Sequence, residues 1–221
     1  MATNLTQQLD TPAPPNLGTP DVLYSESYFR QTNGGLNVYF NKLRNLFGAL
    51  LGPRGGKWMN MPYGAFQDGT DQTAANTTTA YAITFDTTDF TNGVTLSNSS
   101  RLNVAQAGIY NLQFSIQFKN TTNDGQDVDV WLRKNGTNIA NSNSRFHAVA
   151  RKSSGDPSHL IAALNLFVSL AANDYVEIMW RPTDVGVSLE HFATSSSPTR
   201  PAVPSVIATL SFVSNLSTET A

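Results

Sequence analysis

The sequence of 221 residues contains no cysteine. A chain without cysteine has neither disulfide bonds nor thiolate ligands for zinc or iron–sulfur clusters, so its stability has to come from packing or from association of subunits. Only 14% of the residues are charged, and the formal net charge is -2. Because nucleic-acid-binding proteins carry a basic patch or run, we expect no nucleic-acid partner.

Long apolar stretches are also missing. No segment approaches the roughly 20 consecutive apolar residues of a transmembrane helix. The N-terminus has no positively charged cluster followed by an apolar stretch, which is the pattern of a secretory signal. We therefore expect a soluble protein that is made in a cytoplasm and is not inserted into a membrane.

Motifs of catalysis and cofactor binding are absent as well. The histidines His147, His159 and His191 lack the i, i+2 or i, i+4 spacing of a metal-binding pair. No nucleophile elbow, phosphate-binding loop or dinucleotide fingerprint is present. We predict no catalytic residue, no cofactor and no enzymatic activity. A carbohydrate-cleaving protein stays open as an alternative, because it needs two carboxylates across a cleft and their spacing in sequence is not fixed.

Acidic residues cluster at one place in the chain, where Asp124, Asp127 and Asp129 surround Gly125. Oxygen ligands near a turn suit Ca²⁺, so these three residues are the candidates for a metal site. The alternative is a polar hairpin with outward-facing carboxylates. We favour the hairpin because the acidic spacing of an EF-hand is absent.

Proline punctuates residues 1–20, at Pro12, Pro14, Pro15 and Pro20. The segment has no apolar period, and proline favours extended backbone, so we predict an extended arm. An arm of this composition has too little apolar surface to offset its loss of conformational entropy. We therefore expect it to dock onto other components of an assembly.

Residues 21–51 have a helical pattern. Asp21 is the predicted N-cap, Gly52-Pro53 is the predicted stop, and Gly34-Gly35 is expected to break the helix. After this break, apolar residues recur at spacings of 4, 3, 4 and 3, which is the rhythm of a coiled-coil seam. The predicted oligomerisation residues are Leu36, Phe40, Leu43, Phe47 and Leu50. An amphipathic helix packed on its own β domain is the alternative.

The remainder of the chain has the pattern of a β protein. Residues 52–79 are rich in glycine and small polar residues and are predicted as a linker and loop. Over residues 80–214, short runs alternate between apolar and polar side chains without intervening helices, and Asn135-Gly136 favours a tight hairpin. These features predict an all-β antiparallel sandwich. Residues 215–221 form a C-terminal tail.

Trp131 is the first of two features that point to contacts outside the β core, and the basic stretch 142–157 is the second. Trp131 alternates in phase with Asp127 and Arg133, so we predict that it lies on an outer face and contacts a subunit or partner. Trp180 is open to either an outer or an inter-subunit position.

The basic stretch 142–157 contains Arg145, Arg151 and Lys152. It is a candidate for contact with an anionic surface. A solvated loop is the alternative.

Several segments together resemble the C1q/tumour-necrosis-factor-like jelly roll in their order and spacing. The resemblance covers residues 80–214, and the segments that carry it are 108–110, 130–136, 164–170, 173–178 and 206–213. Asn173 stands where the family usually has glycine, and asparagine tolerates the left-handed turn expected there. The resemblance implies a compact homotrimer around a threefold axis, often carried on an N-terminal trimeric stalk. Some members of that family bind Ca²⁺, which bears on the candidate ligands Asp124, Asp127 and Asp129.

The whole arrangement is similar to virion proteins of tailed bacteriophages, which combine a proline-rich arm, a short helical piece and an Asn/Thr-rich β domain. This similarity implies a fibre or knob in the virion that serves host-surface attachment. The implied partners are further copies of the chain, other virion proteins through residues 1–51, and a host-surface glycan. A capsid decoration or cement protein is the alternative, and a carbohydrate-cleaving spike is the second alternative.

Overall fold

The computed structural model describes residues 14–17, 19, 23, 25–51 and 61–215. The chain forms two compact units, Met1–Met61 and Pro62–Ala221. In the predicted arm, residues 14–17 have no regular secondary structure. Most of that arm, the predicted N-cap Asp21 and the predicted stop Gly52-Pro53 lie outside the described residues.

The first unit contains one described helix, α1 (Glu26–Leu51). Ser25 caps it, since the backbone N–H of Tyr28 donates to the hydroxyl of Ser25 over 3.3 Å. The predicted break at Gly34-Gly35 is wrong, because the helix continues through both residues. Two glycines cost about 2 kcal/mol in a helix interior, and the helical turns formed on either side offset this cost. No helix in the described ranges is both long and apolar enough to cross a bilayer.

The second unit is built from β-strands joined by turns and loops. In chain order they are β1 (Tyr63–Asp68), β2 (Gln72–Thr73), β3 (Tyr81–Ala82), β4 (Thr87–Asn92), β5 (Val94–Ser97), β6 (Arg101–Val104), β7 (Gly108–Asn120), β8 (Gln126–Lys134), β9 (Thr137–Asn138), β10 (Ser144–Ala148), β11 (Ser158–Leu170), β12 (Tyr175–Pro182), β13 (Val187–Leu189), β14 (Ser195–Ser196), β15 (Thr199–Arg200) and β16 (Val206–Ser214).

These strands form two large antiparallel sheets. The first has the order β2-β13-β7-β16-β1-β4, and β11 pairs with β7 along its whole length. The second has the order β10-β8-β12-β6-β5, with β3 added to β12 and β9 to β8. β14 and β15 form a separate small hairpin. The predicted all-β antiparallel sandwich is confirmed.

The core lies between the two sheets and is lined by the inward side chains of both. Tyr110 and Leu112 of β7 and Leu132 of β8 are among its fully buried members. Trp180 of β12 also belongs to the core, and its ring lies 5.9 Å from that of Phe118. The expectation that Trp180 lies on an outer or inter-subunit face is therefore wrong, because the inward register of β12 buries its side chain. Burying a large apolar side chain contributes about 1.5–3 kcal/mol, so these layers supply most of the stability.

The sandwich begins earlier than predicted, because β1 lies inside the range expected to be a linker. β1 pairs with both β4 and β16, and its Phe66 is fully buried. Gly64 has a packing role, since a Cβ there would lie 2.6 Å from the ring of Phe66. A glycine inside the predicted linker therefore makes room for a core aromatic residue. The loop expected over residues 142–157 is likewise wrong in part, because β10 occupies Ser144–Ala148.

Two turns agree with the sequence-based expectations. Asn135 and Gly136 have φ angles of 48° and 82° and close the hairpin between β8 and β9. Asn173 has a φ of 69°, the left-handed conformation expected at that position. Both turns use residue types that tolerate this region of backbone space.

Candidate functional site

One outer face of the sandwich carries no charged residue over most of its area. It consists of the outward side chains of β7, β11 and β16, which alternate with inward ones. The register places Gln113 of β7 between Asn165 of β11 and Thr209 of β16. We call this surface the neutral face. Its residues are Ile109, Asn111, Gln113, Ser115, Gln117, Ile161, Ala163, Asn165, Phe167, Ser169, Ile207, Thr209, Ser211 and Val213.

The neutral face exposes large apolar side chains to solvent. Phe167 is 66% exposed, Ile161 61% and Ile207 43%. A shallow depression of about 470 Å³ lies across the three strands, and Ser115 and Ala163 contribute to its lining. Apolar side chains among neutral polar ones, without charges, are typical of the central part of a protein–protein interface.

Charged side chains begin at one end of the neutral face. The Nζ of Lys119 donates to Oε1 of Glu190 over 2.6 Å, and Nδ1 of His159 lies 3.2 Å from Oε2 of the same carboxylate. Close to this group, the backbone N–H of His191 donates to Asp71 over 2.8 Å. Burial raises the pKa of Asp71, but its hydrogen bonds to His191 outweigh burial and hold the pKa below its ordinary value of 3.8. The neutral face therefore ends in a polar rim.

The opposite outer face belongs to the second sheet and is charged. Trp131 of β8 is the aromatic residue in its centre, and it is half-buried. Ionisable groups from four strands surround it, because each strand contributes its outward positions. We call this surface the charged face. Its residues are Arg101, Asp127, Asp129, Trp131, Arg133, Arg145, His147, Glu177 and Arg181.

Asp129 is the main ion-pairing centre of the charged face. Nε and one terminal nitrogen of Arg145 donate to its two carboxylate oxygens over 2.9 and 3.1 Å. A terminal nitrogen of Arg181 lies 3.4 Å from Oδ2. The hydrogen bonds from Arg145 hold the pKa of Asp129 below its ordinary value of 3.8. Asp129 is therefore ionised near neutral pH.

Glu177 forms a second, buried network on the same face. Only 3% of its side chain is exposed. Its carboxylate accepts hydrogen bonds from Nε of Arg133 and from the hydroxyl of Ser100, each over 2.9 Å, and lies 3.5 Å from Nε of Arg101. The guanidinium of Arg101 lies 4.4 Å above the ring centroid of Tyr175. A buried and paired carboxylate of this kind supports the structure, because its oxygens are occupied by neighbouring side chains.

A pocket of about 330 Å³ opens on the charged face beside Trp131. It is framed by β8, β12 and the connection between β8 and β10. The indole N–H of Trp131 donates to Oδ1 of Asn138 over 2.9 Å. We call this the Trp131 pocket. Its aromatic and polar lining consists of Asp129, Trp131, Asn138, Asn141, Asn143 and Arg181.

The three candidate metal ligands do not converge. Asp129 is bonded to arginine, and Asp127 lies 2.8 Å from Nδ1 of His147. Asp124 lies in the turn before β8, where its backbone carbonyl accepts a hydrogen bond from the side chain of Asn120. Within the described ranges, no three acidic, histidine or cysteine side chains come together in a way that suits a metal ion.

The predicted basic contact residues each have a polar partner. Arg145 bonds to Asp129, as above. Arg151 donates to the side chain of Asn123 over 2.8 Å, and Lys152 lies 3.7 Å from Asp156. Local pairing thus reduces the positive character of this stretch, while Arg151 and Lys152 stay near the surface.

The predicted oligomerisation residues of α1 divide into two groups. Leu36 and Leu43 are half-buried, whereas Phe40 and Phe47 are 60% and 53% exposed. The side chain of Leu50 lies outside the described part of the chain. Exposed phenylalanines on a helix need a partner surface to leave water, and the structure of one chain leaves these two in solvent.

Sequence reasoning predicted the outer position of Trp131 but missed the pocket around it. Asn138, Asn141 and Asn143 recur after the hairpin at Asn135-Gly136, and this concentration of asparagine was the available signal. Arg181 had no such signal. It joins the pocket only because β12 pairs with β8 in the register that sets Arg181 opposite Asp129.

No protein-family model and no curated protein sequence matches the chain. The surface features that bear on function are the neutral face, the charged face with its Trp131 pocket, and the exposed phenylalanines of α1.

Proposed function

We propose that this chain is a homotrimeric structural protein of a bacteriophage virion, displayed as a fibre or knob and used in attachment to the host surface. The observation that carries the proposal is the neutral face. The virion setting and the number three rest on the resemblances stated for the sequence. The mechanism is avidity, because several weak sites on one particle raise the effective affinity without strong single contacts.

The neutral face supports self-association. The fourteen residues of the neutral face include no aspartate, glutamate, lysine or arginine, and Lys119 of β7 lies beyond them in the polar rim, whereas the opposite face carries many charged residues. Burying a neutral surface avoids the desolvation penalty of charged groups. Its exposed Phe167, Ile161 and Ile207 supply apolar area that gains free energy on leaving water.

We further propose that the sandwich is a jelly roll of the C1q/tumour-necrosis-factor-like kind. The path of the chain supports this proposal, because it alternates between the two sheets. It runs from β6 to β7 and back to β8, and later from β10 to β11 and back to β12. Alternation of this kind, with antiparallel pairing throughout, is expected of a double-sheet jelly roll.

Residues 1–51 are proposed to dock the protein onto other virion proteins. The supporting feature is α1, whose Phe29, Val38, Phe40 and Phe47 are exposed. A parallel bundle of these helices would bury some of them, and a neighbouring virion protein would bury others.

The oligomeric state is tested by light scattering on the purified full-length protein during size-exclusion chromatography. We expect a mass three times the chain mass of 23.9 kDa at micromolar concentration. Ile207→Glu introduces a carboxylate into the neutral face and should shift the protein to monomers, because the buried charge would lack a partner.

Val185→Glu is the matched control. Val185 is also a β-branched residue and is 53% exposed, but it lies in the connection between β12 and β13, outside the neutral face. This variant should keep the mass of the wild type. A monomeric wild type, or an unchanged mass for Ile207→Glu, contradicts the proposal.

The attachment role is tested separately, with phage particles that lack the protein. Loss of adsorption to host cells with intact capsids supports attachment. Loss of capsid integrity supports the cement role instead and overturns the attachment role.

A further inference from the structure

The Trp131 pocket combines an oriented aromatic ring with hydrogen-bonding groups of several kinds. The ring is held by the hydrogen bond from its indole N–H to Asn138. Among the described residues, no other aromatic ring packs against Trp131, whereas the core Trp180 contacts two. An indole that is oriented in this way and open to a pocket offers a flat apolar surface for the C–H groups of a ligand.

Polar groups of the pocket retain unused hydrogen-bonding capacity. Asn138 uses its carbonyl oxygen for Trp131, so its amide nitrogen stays available. The side chain of Asn141 has no hydrogen-bond partner within the described ranges. Arg181 uses Nε for the carbonyl of Thr77, over 2.7 Å, and one terminal nitrogen for Asp129. Its second terminal nitrogen is free of partners in the described part of the chain.

The chemistry of this lining favours a neutral polyhydroxyl ligand. Hydroxyl groups both donate and accept hydrogen bonds, and the unused amide groups of Asn138 and Asn141 supply both functions while Arg181 donates. Asp129 pairs with Arg145 and Arg181, and Asp127 lies 4.0 Å from Arg145, so two carboxylates balance two guanidinium groups around the pocket and leave little net charge. One carboxylate lines the pocket, whereas hydrolysis of a glycosidic bond needs a pair. The lining therefore suits a sugar ligand and lacks the second carboxylate of a glycosidase.

We infer that the Trp131 pocket binds a pyranose ring of an uncharged glycan, with one face of the sugar against the indole and its hydroxyl groups bonded to Asn138, Asn141 and Arg181. This inference rests on the attachment role proposed above and names the ligand class and the residues for it. In a trimer that associates through the neutral face, the pocket lies on the other sheet and stays open to solvent.

Saturation-transfer NMR on the purified full-length protein tests the inference. The probes are the methyl glycosides of glucose, galactose, mannose and N-acetylglucosamine, with methyl glucuronide as the acidic comparison. We expect transfer to the ring C–H protons of at least one neutral glycoside and loss of this transfer in Trp131→Ala.

A second variant tests the polar contacts without disturbing the fold. Asn141 has a φ of 61°, so Asn141→Gly removes the amide and leaves the backbone relaxed. We expect it to weaken binding by about 5–10-fold, which corresponds to the loss of one hydrogen bond. Phe90→Ala is the control, because Phe90 is an exposed aromatic residue on the other sheet, and this variant should bind as the wild type does.

The outcomes separate this inference from the proposed function. If the protein is a trimer that binds none of the neutral glycosides, the sugar site is wrong and the trimer stands. The same holds if the Trp131→Ala variant binds them as well as the wild type does. Binding of methyl glucuronide only overturns the choice of an uncharged ligand. Sugar binding by a protein that is monomeric overturns the trimer and leaves the pocket assignment intact.

Discussion

At the scale of single residues, the pair formed by Asp129 and Arg145 links β8 to β10, the edge strand of the second sheet. The pair is bidentate, and the pKa of Asp129 is held below its ordinary value by the hydrogen bonds from Arg145. Since the folded state binds the proton less tightly than the unfolded state, ionised Asp129 stabilises the fold above pH 3.8. This contribution is lost as the pH falls through the lower folded-state pKa.

Asp129→Asn should therefore show a pH-dependent loss of stability. We expect the free energy of unfolding to fall by about 1 kcal/mol at pH 7, a modest value because the exposed guanidinium of Arg145 is screened by water. The difference between variant and wild type should narrow in strong acid. Urea unfolding at a series of pH values measures it, and a constant difference across that series contradicts the prediction.

The residues of the candidate site were predictable to different degrees. The outer position of Trp131 follows from strict alternation along one strand, in phase with Asp127 and Arg133. Asn141 and Arg181 reach the same pocket through a turn and through pairing with a neighbouring strand. Such contacts depend on the three-dimensional register, which alternation within a single strand does not encode.

At the scale of elements, α1 runs through the glycine pair that was expected to interrupt it. A Cβ at Gly34 would meet no atom within 4 Å, so alanine fits there without a clash. Gly34→Ala should stabilise the helix by about 1 kcal/mol, since glycine loses more backbone entropy than alanine on helix formation.

Circular dichroism at 222 nm on a peptide of residues 25–51 measures this effect. Gly34→Ala should increase its helicity, and Gly34→Pro, the control for a true break, should abolish most of it. Equal or lower helicity for the Gly34→Ala peptide than for the wild-type peptide would contradict the prediction.

The strands differ in how well their sequences predict them. The long strand β7 alternates strictly between apolar and polar residues from Tyr110 to Lys119. β11 from Leu160 onward and β16 have an apolar residue at every inward position, so these strands and the faces they bury were predictable. β1 and β10 were missed because β1 contains a glycine and a register shift after Ala65, and β10 is short and polar. Pairing with neighbouring strands determines these two elements more than their own propensity does.

At the scale of the whole molecule, the buried core of the described residues belongs to the second unit. Its members lie between Phe66 and Phe212. The fragment of residues 62–221 should therefore fold without the first 61 residues and unfold in one cooperative transition. The fragment of residues 80–221 follows the boundary suggested by the sequence, lacks β1, and leaves the place of Phe66 empty.

Thermal unfolding followed by near-ultraviolet circular dichroism compares the two fragments at equal protein concentration. We expect a sharp transition for the longer fragment and a much weaker or absent one for the shorter. Loss of Phe66 alone should cost about 3–5 kcal/mol, before the broken strand pairs are counted. A cooperative transition of equal midpoint in both fragments would place the domain boundary after β1.

The connection that follows Asn135-Gly136 has a consequence for how this protein changes over generations. Ile139 packs against the core and the hydroxyl of Ser142 bonds to the backbone of Leu132, so these two residues anchor the loop. Asn138 and Asn141 point to the pocket and support none of the core. Under the sugar-binding role inferred above, substitutions at these two positions would alter which sugar is recognised and leave the fold unchanged. Under the proposed attachment role, a lineage that meets a changing host would vary its recognition through this loop and keep its architecture.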